Sequence, residues 1–193
     1  MKLLPTELPG VVIVEPARFA DDRGWFMESW NDARFSDGLR ALGLPAPRPF
    51  VQDNHSCSKA GVLRGLHYQL PPHPQGKLVR VVRGAAFDVA VDIRRGSPSF
   101  GRWVGVELTA DNHRQLWIPE GFAHGFLALE EDTHFLYKTT DVYARDCERS
   151  LRWDDPAIGI DWPLARIGGQ PLVAPKDAAA PRLHDAEVDL PAA

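Results

Sequence analysis

The stretch "AFDVAVDI", residues 86–93, decides the fold of this chain, because apolar residues alternate along it with small or acidic ones. The apolar set consists of Phe87, Val89, Val91 and Ile93. The intervening set consists of Asp88, Ala90 and Asp92. Successive side chains of a β-strand point to opposite faces of the sheet, so this period of two predicts a strand. We expect a sheet with one buried face and one polar face here.

Further short apolar runs flank this strand, and 16 Gly and 17 Pro punctuate the chain between them. These runs are "VVIVE" (11–15), "WFMESW" (25–30), "VLRGLHYQ" (62–69), "KLVRVVRG" (77–84), "RWVGVELT" (102–109), "RQLWIP" (114–119) and "HFLYKTT" (134–140). Only "DARFSDGLRALG" (32–43) has its apolar residues at helical spacing. Many short strands separated by turn residues predict a sandwich or barrel that is mainly β, with a few short helices.

Composition narrows the class of protein. The 193 residues, 44% hydrophobic and 25% charged, fit a single globular domain over 1–193, with an Ala/Pro-rich C-terminal extension from about residue 168. Composition alone predicts that this extension is disordered. A net charge of −4 argues against nucleic-acid binding. We see no signal peptide and no apolar run of the ~18 residues that a membrane span needs. With only two cysteines, we expect a cytoplasmic protein.

The run "VLRGLHYQ" places Arg64 and His67 among core-like residues. A buried charge costs several kcal/mol or more unless it is paired, so both side chains either reach water or line a pocket. Strict alternation puts them on opposite faces of the strand. A bulge at Gly65 would instead bring both to one cavity, because glycine inside a strand often marks such a distortion.

Two glycine–histidine motifs resemble those of the cupin superfamily of small jelly rolls. "GVLRGLHYQ" supplies the first, which ends on His67, and "IPEGFAHGF" supplies the second, which contains His124. Metal-dependent cupins carry a second histidine where Gln69 stands here. His73 is a possible third imidazole, and three imidazoles can hold a catalytic metal. A metal-dependent oxygenase that uses these three histidines is therefore one candidate function.

A closer resemblance extends from about Val11 to Pro163, with a further match near Lys176. It rests on the blocks "DDRGWFMESW", "VQDNHS", "VLRGLHYQ", "QGKLVRVVRG", "FDVAVDIRRGSPSFG", "QLWIPEGFAHGF" and "FLYKTTDVY". In this order they resemble the dTDP-4-dehydrorhamnose 3,5-epimerases. The resemblance implies a cupin-type jelly roll without cofactor or metal. It also implies a homodimer that acts on dTDP-4-dehydro-6-deoxy-D-glucose, on the route to dTDP-L-rhamnose.

The resemblance also implies catalytic roles that suit the residue types. The C4 ketone acidifies the hydrogens on C3 and C5, so epimerisation needs a base, a cation near the enolate oxygen and an acid. His67 matches the base, with Asp177 behind it, and histidine's usual pKa of ~6.5 suits that task. Tyr137 matches the acid, because a phenol with a pKa of ~10 is protonated at neutral pH. Lys77 matches the cation near the C4 oxygen.

Further positions match the family's substrate-binding residues. These are Arg23, Glu28, Gln52, Asn54, Arg64, His124, Glu148 and Lys176, with Tyr143 and Phe26 as candidates to stack on thymine. The arginines suit a diphosphate, because the planar guanidinium binds phosphate oxygens in pairs. The C-terminal region departs from the family, since Ala174 replaces a serine ahead of Lys176 and Asp177.

The sequence is also compatible with two functions closer to sugar-nucleotide chemistry. An epimerase of a related dTDP-4-ketosugar that inverts C5 alone would share the fold and the base. A non-catalytic sugar-nucleotide binding module would keep Arg23 and Arg64 but would not need an acid and a base. The simultaneous presence of His67, Tyr137 and Asp177 favours an enzyme over a binding module.

Overall fold

The computed structural model describes residues 1–188, and strands dominate it, which confirms the mainly β prediction. The strands are β1 (Lys2–Pro5), β2 (Val12–Glu15), β3 (Arg18–Asp21), β4 (Gly24–Met27), β5 (Gln52–Ser58), β6 (Val62–Gln69), β7 (Lys77–Arg83), β8 (Ala85–Asp92), β9 (Trp103–Thr109), β10 (Gln115–Ile118), β11 (Phe122–Ala128), β12 (Thr133–Thr139), β13 (Glu148–Ser150) and β14 (Leu172–Val173). The helices are α1 (Asp32–Ala41), α2 (Pro175–Ala178) and two 3₁₀ turns, Arg145–Cys147 and Leu164–Ile167.

Two sheets face each other and form a sandwich. The first has six strands in the order β1-β2-β10-β7-β12-β5, and the second has the order β13-β6-β11-β8-β9 with β14 added beside β6. Between them lies an apolar core to which both sheets contribute, including Val79 and Phe135 from the first sheet and Phe126 from the second. The rings of Phe126 and Phe135 stack across the gap with their centroids 4.1 Å apart.

The outer face of the first sheet is covered by α1. The helix begins after Asn31, whose side-chain oxygen accepts a hydrogen bond from the Arg34 N–H and so caps the first turn. Phe35 and Leu39 on its buried side pack against Trp117 of β10. The periodicity of residues 32–43 therefore predicted both the helix and its buried face.

Strand β8 corrects one expectation. Val89 and Val91 are fully buried, as predicted, but Asp88 and Asp92 on the supposedly polar face are fully buried too. The apolar face packs against C-terminal segments that include Leu183, and the other face points into the sandwich. The second face does carry Asp88 and Asp92, as expected, but it is buried as well, because it lines the interior of the sandwich while the C-terminal segments cover the apolar face.

The C-terminal extension is ordered as far as residue 188, so the prediction of disorder was wrong over that range; residues 189–193 lie outside the described residues. Strand β14 pairs in parallel with β6, and α2 follows it directly. Leu183 and Val188 are buried against the second sheet. A few apolar residues thus hold this segment against the second sheet, although its Ala/Pro-rich composition alone predicts disorder.

A hairpin of β3 and β4 stands apart from both sheets as its own two-stranded sheet. We call it the arm. Three large apolar side chains on it are exposed, Phe19 by 66%, Trp25 by 53% and Phe26 by 69%. Within residues 1–188 no helix combines the length and hydropathy of a transmembrane span.

Candidate active site

The pairing of β6 with β11 decides where Arg64 and His67 point. His67 lies opposite His124, and Arg64 lies opposite Phe126. Between these two pairs β6 has two residues, Gly65 and Leu66, whereas β11 has only Gly125. This bulge shifts the alternation by one position and puts both residues on the face of the sheet that carries Phe126, where His67 is half-buried and Arg64 is exposed. The bulge at Gly65 that would unite Arg64 and His67 is therefore present.

Two glycines allow the two strands to approach at the bulge. Gly65 has a φ of +127°, and a Cβ there would lie 2.5 Å from the Cα of Gly125. A Cβ on Gly125 would in turn lie 2.7 Å from the Arg64 carbonyl oxygen. Any side chain at either position would push the strands apart, so the geometry of the site depends on this glycine pair.

His67 and Asp177 form a hydrogen-bonded pair. The His67 Nε2–H donates to Asp177 Oδ1 over 2.7 Å, and the Gly65 N–H donates to Oδ2 over 3.3 Å. The Asp177 side chain is 2% exposed and that of His67 is 27% exposed. Burial alone would raise the pKa of Asp177, but these hydrogen bonds outweigh it and hold the pKa below its usual value. With Nε2 protonated, Nδ1 carries the lone pair that a base needs.

A second Asp–His pair lies beside the first. His124 Nε2–H donates to Asp88 Oδ1 over 2.7 Å, and both side chains are buried. Burial lowers the pKa of His124 and raises that of Asp88, against the mutual attraction of the two groups. The other carboxylate oxygen, Oδ2, is buried without a hydrogen-bond partner among residues 1–188.

Lys77 begins β7 and is buried in the same interior. Its Nζ donates to the His67 carbonyl oxygen over 3.3 Å, and the residue is 7% exposed. Burial lowers the pKa of Lys77 to about 8, and the nearby Asp88 and Glu148 carboxylates limit that fall. Lys77 thus places a titratable positive charge next to the strand that carries His67.

Tyr137 lies on β12, in the sheet opposite His67. Its half-buried ring packs near Phe135, with the ring centroids 6.3 Å apart. Burial raises the pKa of Tyr137, while the positive charge of Arg64 opposes that rise. Arg64 itself donates to Ser58 Oγ over 3.1 Å and to the Cys57 carbonyl over 3.3 Å. The phenol stays protonated at neutral pH and can therefore donate a proton.

Gln52, Asn54 and Tyr143 lie together at one edge of this region. Gln52 Nε2 donates to Asn54 Oδ1 over 2.9 Å, and Gln52 Oε1 accepts from the Tyr143 N–H over 2.9 Å. The Tyr143 hydroxyl donates to Glu148 Oε2 over 3.1 Å. The Tyr143 side chain is exposed, which leaves its ring free to stack on a ligand.

Glu148 connects this edge to the Asp–His pair. Its Oε1 accepts from Lys176 Nζ over 3.1 Å, and Lys176 is adjacent to Asp177 on α2. Burial would raise the pKa of Glu148, but Lys176 and the Tyr143 hydroxyl hold it below its usual value. The expected positions of Lys176 and Asp177 are thus both in contact with other predicted site residues, despite Ala174.

Three predicted residues lie outside this cluster within the single chain. Arg23 and Phe26 are on the arm, where the exposed Arg23 pairs with its neighbour Asp21 over 2.6 Å. Glu28 follows the arm and pairs with Arg34 over 3.1 Å. The chain by itself does not bring these residues to His67.

The three histidines that a metal-dependent oxygenase would use do not form a common group in the described part of the chain. His73 contacts Asp141 over 3.4 Å, while His67 and His124 each contact a different carboxylate. Among residues 1–188 no three His, Cys, Asp or Glu side chains are arranged to hold a metal ion.

Sequence reasoning missed two buried residues of this site, Asp88 and Gln69. Asp88 alternates with apolar positions of β8, and an acidic residue in the middle of this mainly apolar strand was the available signal. Gln69 was noted only as a replacement for a histidine. In the structure it is 4% exposed and hydrogen-bonded on both sides of its amide.

Comparison with known proteins gives consistent matches over almost the whole chain. The family model described as dTDP-4-dehydrorhamnose 3,5-epimerase matches residues 5–185. The dTDP-4-dehydrorhamnose 3,5-epimerase of Shigella flexneri is 53% identical over 187 residues, which cover 97% of this chain and 98% of the relative.

Solved structures agree with this match. The dTDP-6-deoxy-D-glucose-3,5-epimerase of Legionella pneumophila, in complex with dTDP-4-keto-L-rhamnose, superposes with a TM-score of 0.89 at 48% identity, covering 98% of this chain and 97% of its own. A 3'-monoepimerase of Streptomyces bikiniensis, in complex with dTDP-quinovose, superposes with a TM-score of 0.82 at 36% identity, covering 95% and 88%. These likenesses confirm the cupin-type jelly roll, which enzymes of different epimerisation specificity share.

Proposed function

The chain belongs to the dTDP-4-dehydrorhamnose 3,5-epimerase family, and we propose that it epimerises its substrate with His67 as base and Tyr137 as acid. The protein is an isomerase that converts dTDP-4-dehydro-6-deoxy-D-glucose to dTDP-4-dehydro-L-rhamnose in rhamnose biosynthesis. The observation that carries the proposed roles is the 2.7 Å hydrogen bond between His67 and Asp177.

Proton removal is the first requirement of this reaction. A neutral imidazole with a free Nδ1 lone pair accepts the proton from C3 or C5, and the resulting imidazolium is stabilised by the buried Asp177 carboxylate. The carboxylate also fixes the ring orientation and the tautomer, as the aspartate does in hydrolase triads. The Gly65 N–H holds Asp177 Oδ2 and keeps the carboxylate in place.

Stabilisation of the enolate is the second requirement. Removing the proton places negative charge on the C4 oxygen, and a fixed cation in a buried site stabilises that charge more strongly than water does. Lys77 is such a cation below its pKa of about 8. The neutral His124, oriented by Asp88, supplies a further polar group in the same interior.

Reprotonation on the opposite face is the third requirement. His67 belongs to the second sheet and Tyr137 to the first, so the two side chains project from facing walls of the sandwich. A sugar ring held between the walls would have one of its faces toward the base and the other toward the acid. This arrangement supports inversion rather than return of the proton to the same face.

The remaining polar groups suit the nucleotide part of the substrate. Arg64 offers a guanidinium for the diphosphate, and Gln52 and Asn54 offer amides for the sugar or the base. The exposed Tyr143 ring offers a stacking surface for thymine. Glu148 and Lys176 lie close enough to contact the same ligand, because both contact each other and Glu148 contacts Tyr143.

A homodimer would complete the site with the residues that the single chain leaves outside it. The arm exposes Phe19 and Phe26, which lie opposite each other in the β3–β4 pairing, and large apolar side chains exposed side by side favour an interaction site. In a two-fold dimer each arm would insert Arg23 and Phe26 into the partner's nucleotide site. The homodimer, these transferred contacts and the cytoplasmic location stay predictions.

Solvent exchange tests the proposed roles. Substrate incubated with the enzyme in deuterium oxide should take up label at C3 and C5, and His67→Ala should abolish both uptake and epimerisation. Tyr137→Phe should retain measurable exchange while losing inverted product, because proton removal does not need the acid. His134→Ala, on the outer face of β12, is the matched control and should behave as wild type.

Product stereochemistry by NMR completes this test. Inversion at both C3 and C5 is the expected outcome, whereas inversion at C5 alone would identify a monoepimerase. Near-wild-type exchange by His67→Ala would contradict the assignment of the base. Tight binding of dTDP without any exchange by the wild-type protein would identify a binding module instead.

A further inference from the structure

Gln69 occupies a special place in the site although it contacts neither the base nor the acid. It ends β6, two positions after His67, where metal-dependent cupins carry a second histidine. The residue is 4% exposed, so each polar atom of its amide needs a partner inside the protein. Where those partners lie shows what the side chain does.

All the hydrogen bonds of the Gln69 amide go to backbone groups of two loops. Its Nε2 donates to the His73 carbonyl over 2.6 Å and to the Val142 carbonyl over 3.2 Å. Its Oε1 accepts from the Ala144 N–H over 2.8 Å. A planar group with two donors and one acceptor therefore holds the backbone on both sides of Tyr143.

Tyr143 itself is held by two further hydrogen bonds. Its N–H donates to Gln52 Oε1 and its hydroxyl donates to Glu148 Oε2. The Val142 carbonyl, the Tyr143 N–H and the Ala144 N–H are thus consecutive backbone groups bound by two glutamine side chains. A surface loop with this many specific bonds loses conformational freedom and presents the Tyr143 ring in one orientation.

We propose that Gln69 is a positioning residue that sets the Tyr143 ring for stacking on the base of the nucleotide. This inference rests on the proposed function, because it takes Tyr143 as the nucleotide-stacking residue. An imidazole cannot replace the amide here, since it has at most two polar atoms and cannot donate two hydrogen bonds and accept one. The position that holds a metal ligand in other cupins is used here to hold a loop.

A double-mutant cycle on dTDP affinity tests the proposal. Gln69→Glu keeps the shape but turns both donors into acceptors that face carbonyl oxygens, and we expect dTDP to bind about tenfold or more weakly. Gln69→Met removes the hydrogen bonds without adding charge and should weaken dTDP binding in the same direction. Deuterium uptake at saturating substrate should stay within about threefold of wild type in both variants, because the proposed base His67 and the proposed enolate-stabilising Lys77 are unchanged.

The cycle is closed with Tyr143→Ala. If Gln69 acts through Tyr143, the double variant Gln69→Met/Tyr143→Ala should bind dTDP no more weakly than Tyr143→Ala alone. Additive losses would overturn the proposal, as would unchanged dTDP affinity in Gln69→Met. A fall in the saturated exchange rate together with unchanged dTDP affinity would also overturn it.

Asn112→Asp is the matched control. Asn112 also holds backbone groups through its side-chain amide, but in a surface turn away from Tyr143: its Nδ2 donates to the Glu107 carbonyl and its Oδ1 accepts from the Thr109 and Arg114 N–H groups. This change should leave dTDP affinity at the wild-type value. Because the cycle is measured as dTDP affinity, a wild-type protein that binds dTDP but exchanges no deuterium would refute the proposed reaction without affecting the coupling between Gln69 and Tyr143.

Discussion

The Asp177 carboxylate lies 2.7 Å from Nε2 of His67, although the two residues are separated by 110 positions in the chain. The hydrogen bond joins the C-terminal segment to the middle of β6 and is buried on the aspartate side. It fixes the orientation of the imidazole that we propose as the base, and several expected effects of mutation at this site follow from it.

The first prediction concerns Asp177→Asn. The amide has almost the same shape but cannot stabilise the imidazolium, and its NH₂ group opposes either the His67 or the Gly65 donor. We expect kcat to fall by about 10²–10⁴, with little change in KM, by analogy with the aspartate of hydrolase triads. Steady-state epimerisation and deuterium uptake measure both quantities.

Asp185→Asn is the control for this change. Asp185 also contacts a histidine, His184, over 2.9 Å, but this pair is exposed on the C-terminal segment. The Asp185→Asn substitution should leave kcat unchanged. If Asp177→Asn retained the wild-type kcat, the Asp177 carboxylate would have no role in the reaction.

The second prediction concerns the dependence of activity on pH. The positive charge of Lys77, which we propose stabilises the enolate, is present below the Lys77 pKa of about 8 and is lost as the pH rises through that value. We therefore expect kcat/KM to fall on the alkaline side near pH 8. Asp88 raises the pKa of Lys77 by its charge, so Asp88→Asn should move this limb to lower pH. A full pH–rate profile of both enzymes is the measurement, and an unmoved alkaline limb would contradict it.

The third prediction concerns stability. The folded-state pKa of Lys77 is lowered from 10.5 to about 8, so the folded protein releases this proton at lower pH than the unfolded chain does. The Lys77 contribution to the free energy of unfolding is therefore least favourable below pH 8 and improves by about 3 kcal/mol as the pH rises to 10.5. Lys77→Met should lack this improvement.

Urea unfolding of wild type and Lys77→Met at pH 7 and at pH 10.5 measures the difference. The stability of wild type relative to the variant should increase with pH. The exposed Lys59→Met variant serves as control and should follow wild type at both values. Parallel behaviour of wild type and Lys77→Met would contradict the prediction, because it would mean that the pKa of Lys77 is the same in the folded protein as in the unfolded chain.

The fourth prediction concerns the arm. If Arg23 acts in the partner's site, a heterodimer of Arg23→Ala and His67→Ala chains contains one intact site and one doubly defective site. Co-expressed with different tags and purified as the mixed species, this heterodimer should recover about half of the wild-type rate per dimer. Each homodimer should be far less active. No recovery in the mixed species would place Arg23 in the site of its own chain. An Arg23→Ala homodimer with wild-type activity would place it outside any site.

Several features of the fold could be predicted because they depend on local pattern. The alternation in residues 86–93 indicated a strand, and apolar spacing in 32–43 indicated a helix, which the structure forms over Asp32–Ala41. Gly65 indicated where a bulge could form, but the sequence left open whether β6 alternates strictly or bulges there; the pairing of β6 with β11 shows the bulge. The catalytic roles depended instead on the resemblance to a family.

Other features depend on contacts between distant segments and left little trace in the local pattern. Nothing in "AFDVAVDI" indicates that a third layer buries its apolar face or that Asp88 meets His124 inside the sandwich. The Ala/Pro-rich tail owes its order to packing against β6 and the second sheet rather than to its own composition. Arg23 could be assigned a role but not a location, because the single chain leaves it on the exposed arm.

The late position of Asp177 has a consequence for how the enzyme comes into being. Ribosomes make the chain from its N-terminus, so the strands that carry the base, the acid and the lysine are synthesised well before the carboxylate that orients the imidazole. A nascent or truncated polypeptide that stops short of α2 would therefore hold an unaligned histidine and be inert. The proposed base can therefore be oriented only after α2 has been synthesised.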